Sequence, residues 1–189
     1  PSLDGFSLDD YYNRDNLSSG WFKIQKNVDK YTVTKNIHSA YAEATYQFTS
    51  RWIVNLGLKY DYVDINVDYN VNRGGSEGSN TIRKDYFLPS LNLKYNLNEK
   101  HSLRLGASKT YTLPQAKEIS PYRYVGVNFN SQGNPNLKPS DNYNFDLKWD
   151  FNPSPTELVS LTAFYKHIKE PISRIEVASA GGYLSYENI

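Results

Sequence analysis

From Trp52 to Tyr62 every second side chain is aromatic or aliphatic: Trp52, Val54, Leu56, Leu58, Tyr60 and Tyr62 form one series, and Asn55, Gly57, Lys59 and Asp61 lie between them. A period of two fits an extended strand with one apolar and one polar face, and does not fit a helix, whose faces repeat every 3.6 residues. The pattern recurs along the chain. Residues 36 to 48 alternate His38, Ala40, Ala42, Ala44, Tyr46 and Phe48 with Ser39, Glu43, Thr45 and Gln47. Residues 87 to 97 place Phe87, Pro89, Leu91, Leu93, Tyr95 and Leu97 opposite Ser90, Asn92, Lys94 and Asn96. Residues 102 to 112 oppose Leu103, Leu105, Ala107 and Tyr111 to Arg104, Gly106, Ser108 and Thr110, with Lys109 the exception, close enough to the strand end for its charge to snorkel. Tyr143, Phe145, Leu147, Trp149 and Phe151 make a fifth apolar series, and Val159, Leu161, Ala163 and Tyr165 a sixth, which Phe164 blurs.

The links between these segments are unequal. Residues 49 to 51, 98 to 101 and 152 to 157 are short enough for antiparallel hairpins, whereas residues 63 to 86, 113 to 141 and everything from 169 onward read as long loops. In an up-and-down meander, alternate links fall at opposite ends. All the short links then lie at one end and all the long ones at the other, as in an outer-membrane barrel with short periplasmic turns and long extracellular loops.

Composition agrees with this. Lys and Arg total 21 against 20 Asp and Glu, so no charge excess draws in nucleic acid. Cys is absent, which removes disulfides and thiolate metal sites. No run of about 18 apolar residues forms a membrane-spanning helix, but a barrel strand needs only every second side chain to meet lipid.

A soluble β-sandwich, such as a carbohydrate-binding module, also alternates. The aromatics favour the membrane. Trp52, Tyr60, Tyr62, Phe87, Tyr95, Tyr143, Trp149 and Phe151 sit toward the ends of their strands with aliphatic centres between them, the placement expected of interface belts. Ten residues rise roughly 33 Å, which a tilt of about 40° reduces to about 25 Å, the height of an outer-membrane apolar band. The expectation is an all-β fold, an antiparallel up-and-down sector of a transmembrane β-barrel. About six strands is fewer than the roughly eight of the smallest closed barrels. The chain therefore reads as part of a longer one, with Pro1 an internal position and the final YENI inside a loop.

The stretch GNPNLKPSDNYNFDLKWDF, residues 133 to 151, resembles the GNPxLKPE loop and following strand of TonB-dependent outer-membrane receptors. YAEATYQFTSRWIVNLGLKYD, FLPSLNLKYNLNEKHSLRLGASKTYTLP and LTAFYKHIKEPI are similar to strand and turn segments of the same barrels, in the same order. Ser140 stands where an acidic residue is usual, with Asp141 beside it. The resemblance covers residues 36 to 189 and leaves 1 to 35 as an extracellular loop or strand extension. It implies a receptor of about 22 strands. An N-terminal plug, outside this chain, would engage the TonB complex. Partners would be outer-membrane lipid, an imported small ligand (siderophore, cobalamin, glycan or peptide) and, in the glycan- or peptide-importing style, a lipoprotein lid. A surface adhesin without transport is a further alternative.

Little in the sequence suggests catalysis, a resident cofactor or a metal site. His38, His101 and His167 are dispersed, the Gly-rich NRGGSEGSN lacks a phosphate-loop Lys-Ser/Thr, and the carboxylates of SLDGFSLDDYYNRD do not have EF-hand spacing. The candidate for ligand contact is Tyr122, Arg123 and Tyr124 in the loop 120 to 134, where rings can stack on a planar ligand and a guanidinium can pair with an anion. The inward charges Lys59, Lys94, Arg104, Lys148, Glu43, Asp61, Asp146 and Asp150 are expected to satisfy one another across strands.

Overall fold

A computed structural model describes residues 30–71, 76–127, 129–178 and 182–189. The period-two segments form a six-stranded antiparallel sheet of β1 (Lys30–Gln47), β2 (Trp52–Val71), β3 (Ser76–Asn96), β4 (His101–Thr112), β7 (Ser140–Phe151) and β8 (Val159–Lys169), in that order across the sheet. Between β4 and β7 the chain makes a short helix α1 (Ala116–Ile119) and strands β5 (Arg123–Val125) and β6 (Asn130–Gln132). With β9 (Ile172–Val177) and β10 (Tyr183–Asn188) these strands form a second sheet ordered β5-β6-β10-β9, antiparallel except for the β6–β10 pair. The sheet is open: β1 and β8 are its edges.

Register brings the apolar series onto one face. Trp52 pairs with Tyr95, Tyr95 with Leu103, Leu103 with Trp149 and Trp149 with Leu161; the next rungs are Val54–Leu93–Leu105–Leu147–Ala163 and Leu56–Leu91–Ala107–Phe145–Tyr165. Phe164 falls opposite Asp146 on the other face, which resolves the blur in the sixth series. Aromatics mark both ends of this face. At the short-turn end Trp52 stacks on Tyr95 at 4.2 Å, Tyr46 meets Phe48 edge-on at 4.7 Å, and His101 lies against Trp149 and Phe151. At the other end Tyr60 packs on Phe87 at 5.2 Å, and His38 and His167 stack on Tyr62 and Tyr143.

Residues 63 to 86, read as a loop, are mostly strand. The β2–β3 ladder runs unbroken beyond Tyr62–Asp85, and the alternation continues with its phase inverted. On β2, Leu56 and Leu58 are exposed on the face where Asp64, Asn66 and Asp68 follow, whereas Asp61 is followed on the opposite face by buried Val63, Ile65 and Val67. β3 mirrors this: Phe87 gives way to Asp85 and Arg83, and Tyr86 and Ile82 turn inward. The adjacent pair Tyr62-Val63 carries the switch. Residues 30 to 35, assigned with the opening loop or extension, lie in β1, which starts at Lys30. The carboxylate-rich opening stretch and residues 72–75 lie outside the described residues.

Beyond the inversion the inner face of β1–β3 forms the hydrophobic core. Val63, Ile65, Val67, Tyr86 and Ile119 are buried together, with Val33, Tyr69, Ile82, Leu88, Tyr111 and Leu113 packed on them. β3 and β4 share a ladder only from Asn96–Ser102 to Ser90–Ser108, although β3 stays paired to β2 far above that point. The ladder stops beside Pro89, which has no N–H to donate. Side chains hold the opening above it. Tyr111 belongs to the Leu103–Leu105–Ala107 series, yet its ring stacks on Tyr86 at 4.0 Å and its hydroxyl donates to Asp61 Oδ2 at 2.8 Å.

Candidate functional site

The GNPNLKPS segment is the joint between the two sheets. Gly133 fits where a side chain does not: an added Cβ would overlap the Ser120 carbonyl oxygen and stand 2.7 and 2.8 Å from those of Lys117 and Glu118. Asn134 donates its backbone N–H to Glu118 O at 2.7 Å and its amide to Tyr186 O at 2.9 Å, while its Oδ1 accepts from the Asn136 N–H at 2.9 Å, an Asx turn. Leu137 is buried, and the Asn80 amide donates to the Pro135 carbonyl. Asn188 closes the joint: its Oδ1 accepts from Lys138 N at 2.8 Å, and its Nδ2 donates to Lys138 O at 2.8 Å and Glu170 O at 2.9 Å. Ser140, at the position noted as departing from the acidic pattern, starts β7 and donates to the same Glu170 carbonyl at 2.8 Å.

Against this joint lies a cavity of about 310 Å³ lined by Tyr31, Lys117, Ser120, Tyr122, Tyr124, Ser131, Gly133 and Tyr186. Tyr31 and Tyr122 face each other at 6.1 Å, and Lys117 Nζ sits 5.5 Å over the Tyr124 ring. Ser120 Oγ is buried with no hydrogen-bond partner among the described residues. A cation, several phenol rings and an unpaired hydroxyl around one hollow can stack on a planar group and bind an anionic or polar one.

Of the three residues proposed from sequence, the structure brings Tyr122 and Tyr124 into this cavity. Arg123, between them on β5, pairs with Gln132 in register and does not line it, because adjacent strand residues point to opposite faces. The cation in the cavity is Lys117 from α1. Tyr31, Lys117 and Tyr186 were missed because they come from three separate stretches of chain, β1 of the main sheet, α1 and β10 of the second sheet, that meet only in the folded chain.

Of the inward charges expected to satisfy one another across strands, Arg104 and Asp150 do so; Lys59–Asp61 and Lys148–Asp150 pair along a single strand, and Lys94, Glu43 and Asp146 make no ion pair among the described residues. Lys59 Nζ contacts Asp61 at 2.8 Å, Asp150 is flanked by Lys148 at 3.2 Å and Arg104 at 3.5 Å, and Asn55 donates to Glu43 at 2.6 Å. Ser160 Oγ also donates to Asp150, at 2.5 Å. Lys94 and Arg104 line a wide hollow at the short-turn end with Arg51, His101 and Lys148. Among the described residues no group of three or more His, Asp or Glu side chains converges as a metal site would require.

An open antiparallel sheet with a continuous apolar outer face between two aromatic rows and a charged inner face is a sector of a β-barrel wall. The chain belongs to the TonB-dependent receptor-like β-barrel family, whose model matches residues 3–189. It is 28% identical over 170 residues to the probable TonB-dependent siderophore receptor PirA of Acinetobacter baumannii, a match covering 84% of this chain and 20% of that protein. It is 31% identical over 91 residues to the iron-regulated outer membrane virulence protein of Vibrio cholerae serotype O1, covering 48% of this chain and 14% of that protein. The chain thus spans a small part of the length of these relatives. Among solved structures, the copper transporter OprC superposes with a TM-score of 0.66 at 14% identity, over 83% of this chain and 24% of that one. The siderophore receptor PirA of Pseudomonas aeruginosa gives 0.52 at 14% identity, over 84% and 37%. At such identities these likenesses establish the fold alone.

Proposed function

We infer that this chain is part of the wall and outer mouth of an outer-membrane receptor that imports a scarce small ligand with energy from TonB. The inversion of alternation at Tyr62-Val63 carries the reading. Below it the outer face is apolar and exposed, Leu56 by 55% and Phe145 by 49%; above it the same face is Asp and Asn and the apolar residues are inside. A soluble sheet does not leave a contiguous apolar face of this extent open to water, whereas a wall that leaves a bilayer must exchange its faces at the water boundary. On this reading the aromatic rows at Trp52, Tyr95, Trp149 and Phe151 and at Tyr60, Tyr62, Phe87 and Tyr143 are the two interface belts, and the edges β1 and β8 pair with other strands of the barrel.

The names of the relatives favour an iron chelate as the ligand class. Tyr122, Tyr124 and Lys117 are its contacts at the mouth, by stacking and by charge. Fractionation of cells expressing the full-length receptor is expected to place it in the outer-membrane fraction as a heat-modifiable band. Recovery in the soluble fraction without detergent would sink the reading. Replacing Lys117, Tyr122 and Tyr124 together by Ala should weaken ferric-chelate binding by about tenfold or more while the heat-modifiable band persists; unchanged binding removes the cavity from the ligand path.

A further inference from the structure

Down the inner face of the main sheet three hollows follow one another, and each is lined by more basic than acidic side chains. Lys117 is the one charged residue lining the mouth cavity among the described residues. Below it, a groove of about 630 Å³ along the β3–β4 opening sets Lys35, Lys59 and Lys109 against a single acid, Asp61. At the short-turn end a hollow of about 740 Å³ sets Arg51, Lys94, Arg104 and Lys148 against Glu99 and Asp150.

The hollows are in line. On β1 the inner face runs from Tyr31 in the cavity to Lys35 in the groove; on β3 it runs from Ser90 in the groove to Lys94 in the lower hollow, and on β4 from Ser108 to Arg104. Each step is four residues, about 13 Å along a strand. The sorting of charge is local, since the whole chain has 21 basic residues and 20 acidic ones. Acids collect elsewhere: the outer face of the β2–β3 arm carries Asp64, Asp68, Glu77 and Asp85, with Arg83 on Asp64 at 3.2 Å.

The lower hollow shows the largest excess. Lys94 pairs in register with Arg104, and Arg104 with Lys148, so three cations stand side by side in one rung. Like charges directly opposite one another destabilise a sheet unless an anion offsets them. The one carboxylate in contact with the rung among the described residues is Asp150, 3.2 Å from Lys148 and 3.5 Å from Arg104, and it also accepts from Ser160. Lys94 makes no ion pair among the described residues, and the Arg104 and Lys148 side chains remain 52% and 36% exposed.

We propose that the inner wall is an anion-selective path, with the Lys94–Arg104–Lys148 rung as its last station, so that the imported ligand carries a net negative charge. This rests on the reading of the chain as the wall of an importing receptor. A transit path needs several sites that each hold weakly, because one tight site would trap the ligand. Three spaced hollows with unsaturated cations meet that need. A resident acidic segment of the receptor packed on the rung would account for the lower hollow but not for the excess in the two above it.

The test uses cells expressing the full-length receptor and radiolabelled ferric complexes of one trihydroxamate chelator in two forms, one bearing a free carboxylate and one a free amine. Wild type should take up the carboxylate form about fivefold faster or more at equal concentration. Lys94→Gln and Lys148→Gln together should lower the maximal uptake rate of the carboxylate form by about tenfold and leave its half-saturating concentration within about twofold, because the mouth cavity is intact. Uptake of the amine form should not fall, and Lys94→Arg with Lys148→Arg should keep the wild-type rate. Equal uptake of the two forms by wild type, or an unchanged maximal rate in the Gln variant, overturns the proposal. So does a Gln variant that keeps the charge preference but unfolds at a shifted urea midpoint, the mark of a resident acidic segment on the rung. Binding at the mouth is measured separately on the purified receptor. A receptor that binds neither form refutes the ferric-chelate reading and this inference with it, whereas one that binds both and imports them equally defeats this inference alone.

Discussion

Leu56 and Asn66 lie on the same strand and the same face, ten residues apart, and both are solvent-accessible in the isolated chain. Substituting each by Arg separates a lipid-facing wall from a wet sheet. Leu56 sits between the aromatic rungs Trp52–Tyr95 and Tyr60–Phe87, near the middle of a band about 25 Å high, whereas Asn66 lies above the inversion among Asp64, Asp68 and Ser79. An Arg on the lipid face near the midplane costs about 2 to 4 kcal/mol and falls toward zero outside the band. Leu56→Arg should therefore shift the unfolding equilibrium of the full-length receptor in liposomes by roughly 30- to 700-fold, and Asn66→Arg should leave it within about twofold. The assay is urea titration read by heat-modifiable mobility, with the midpoint compared at constant slope. If both variants unfold together, the apolar face does not meet lipid and the argument from phase inversion fails.

Three further outcomes follow from the joint and the opening. Asn188→Ala removes three hydrogen bonds, to Lys138 N, Lys138 O and Glu170 O, and should cost about 2 to 3 kcal/mol of local stability, seen as faster hydrogen exchange in β9 and β10 with exchange in β2 unchanged. Gly133→Ala drives a methyl group into the carbonyls that end α1 and should weaken ligand binding more than Ser131→Ala does, measured by titration of the assembled receptor. Tyr111→Phe keeps the stack on Tyr86 but withdraws the hydrogen bond to Asp61; a loss of about 1 to 3 kcal/mol is expected in the same urea assay, and Tyr111→Ala should cost more because the ring contact goes too.

The six wall strands were legible because their neighbours impose the same demand at every second residue: a lipid-compatible side chain outside and a polar one inside. The β2–β3 extension was not, although Val63, Ile65, Val67 and Tyr69 alternate as regularly with Asp64, Asn66, Asp68 and Asn70. Following one apolar series to Tyr62 and stopping there turned a change of phase into the end of a strand. Tyr122 and Tyr124 could be proposed from their own local sequence. The exclusion of Arg123 needed the knowledge that 123 to 125 are extended, and the inclusion of Lys117, Tyr31 and Tyr186 needed the packing of α1 and of β10 in the second sheet beside the upper end of β1. Gly133 and Asn134 stood out as a motif, but the physical reason for them, three carbonyls converging at the end of α1, is visible only in three dimensions.

The early end of the β3–β4 ladder at Ser90–Ser108 also determines how separable the molecule is. Above that rung the β2–β3 hairpin is tied to β4 through Tyr86, Asp61 and Tyr111 and to β7 through Lys84 and Asp141, by side chains and not by a shared ladder. A hairpin of different length or sequence spliced in above the Tyr62–Asp85 rung would leave Tyr86 and its stack on Tyr111 in the frame, but would have to renew the ladder with β1, which runs on from Ile37–Val63 to Lys30–Asn70. Together with the strip of β1 that pairs with it, the outer arm is in this sense a replaceable extension of the frame, free to vary in length and surface while the strands beneath keep their register.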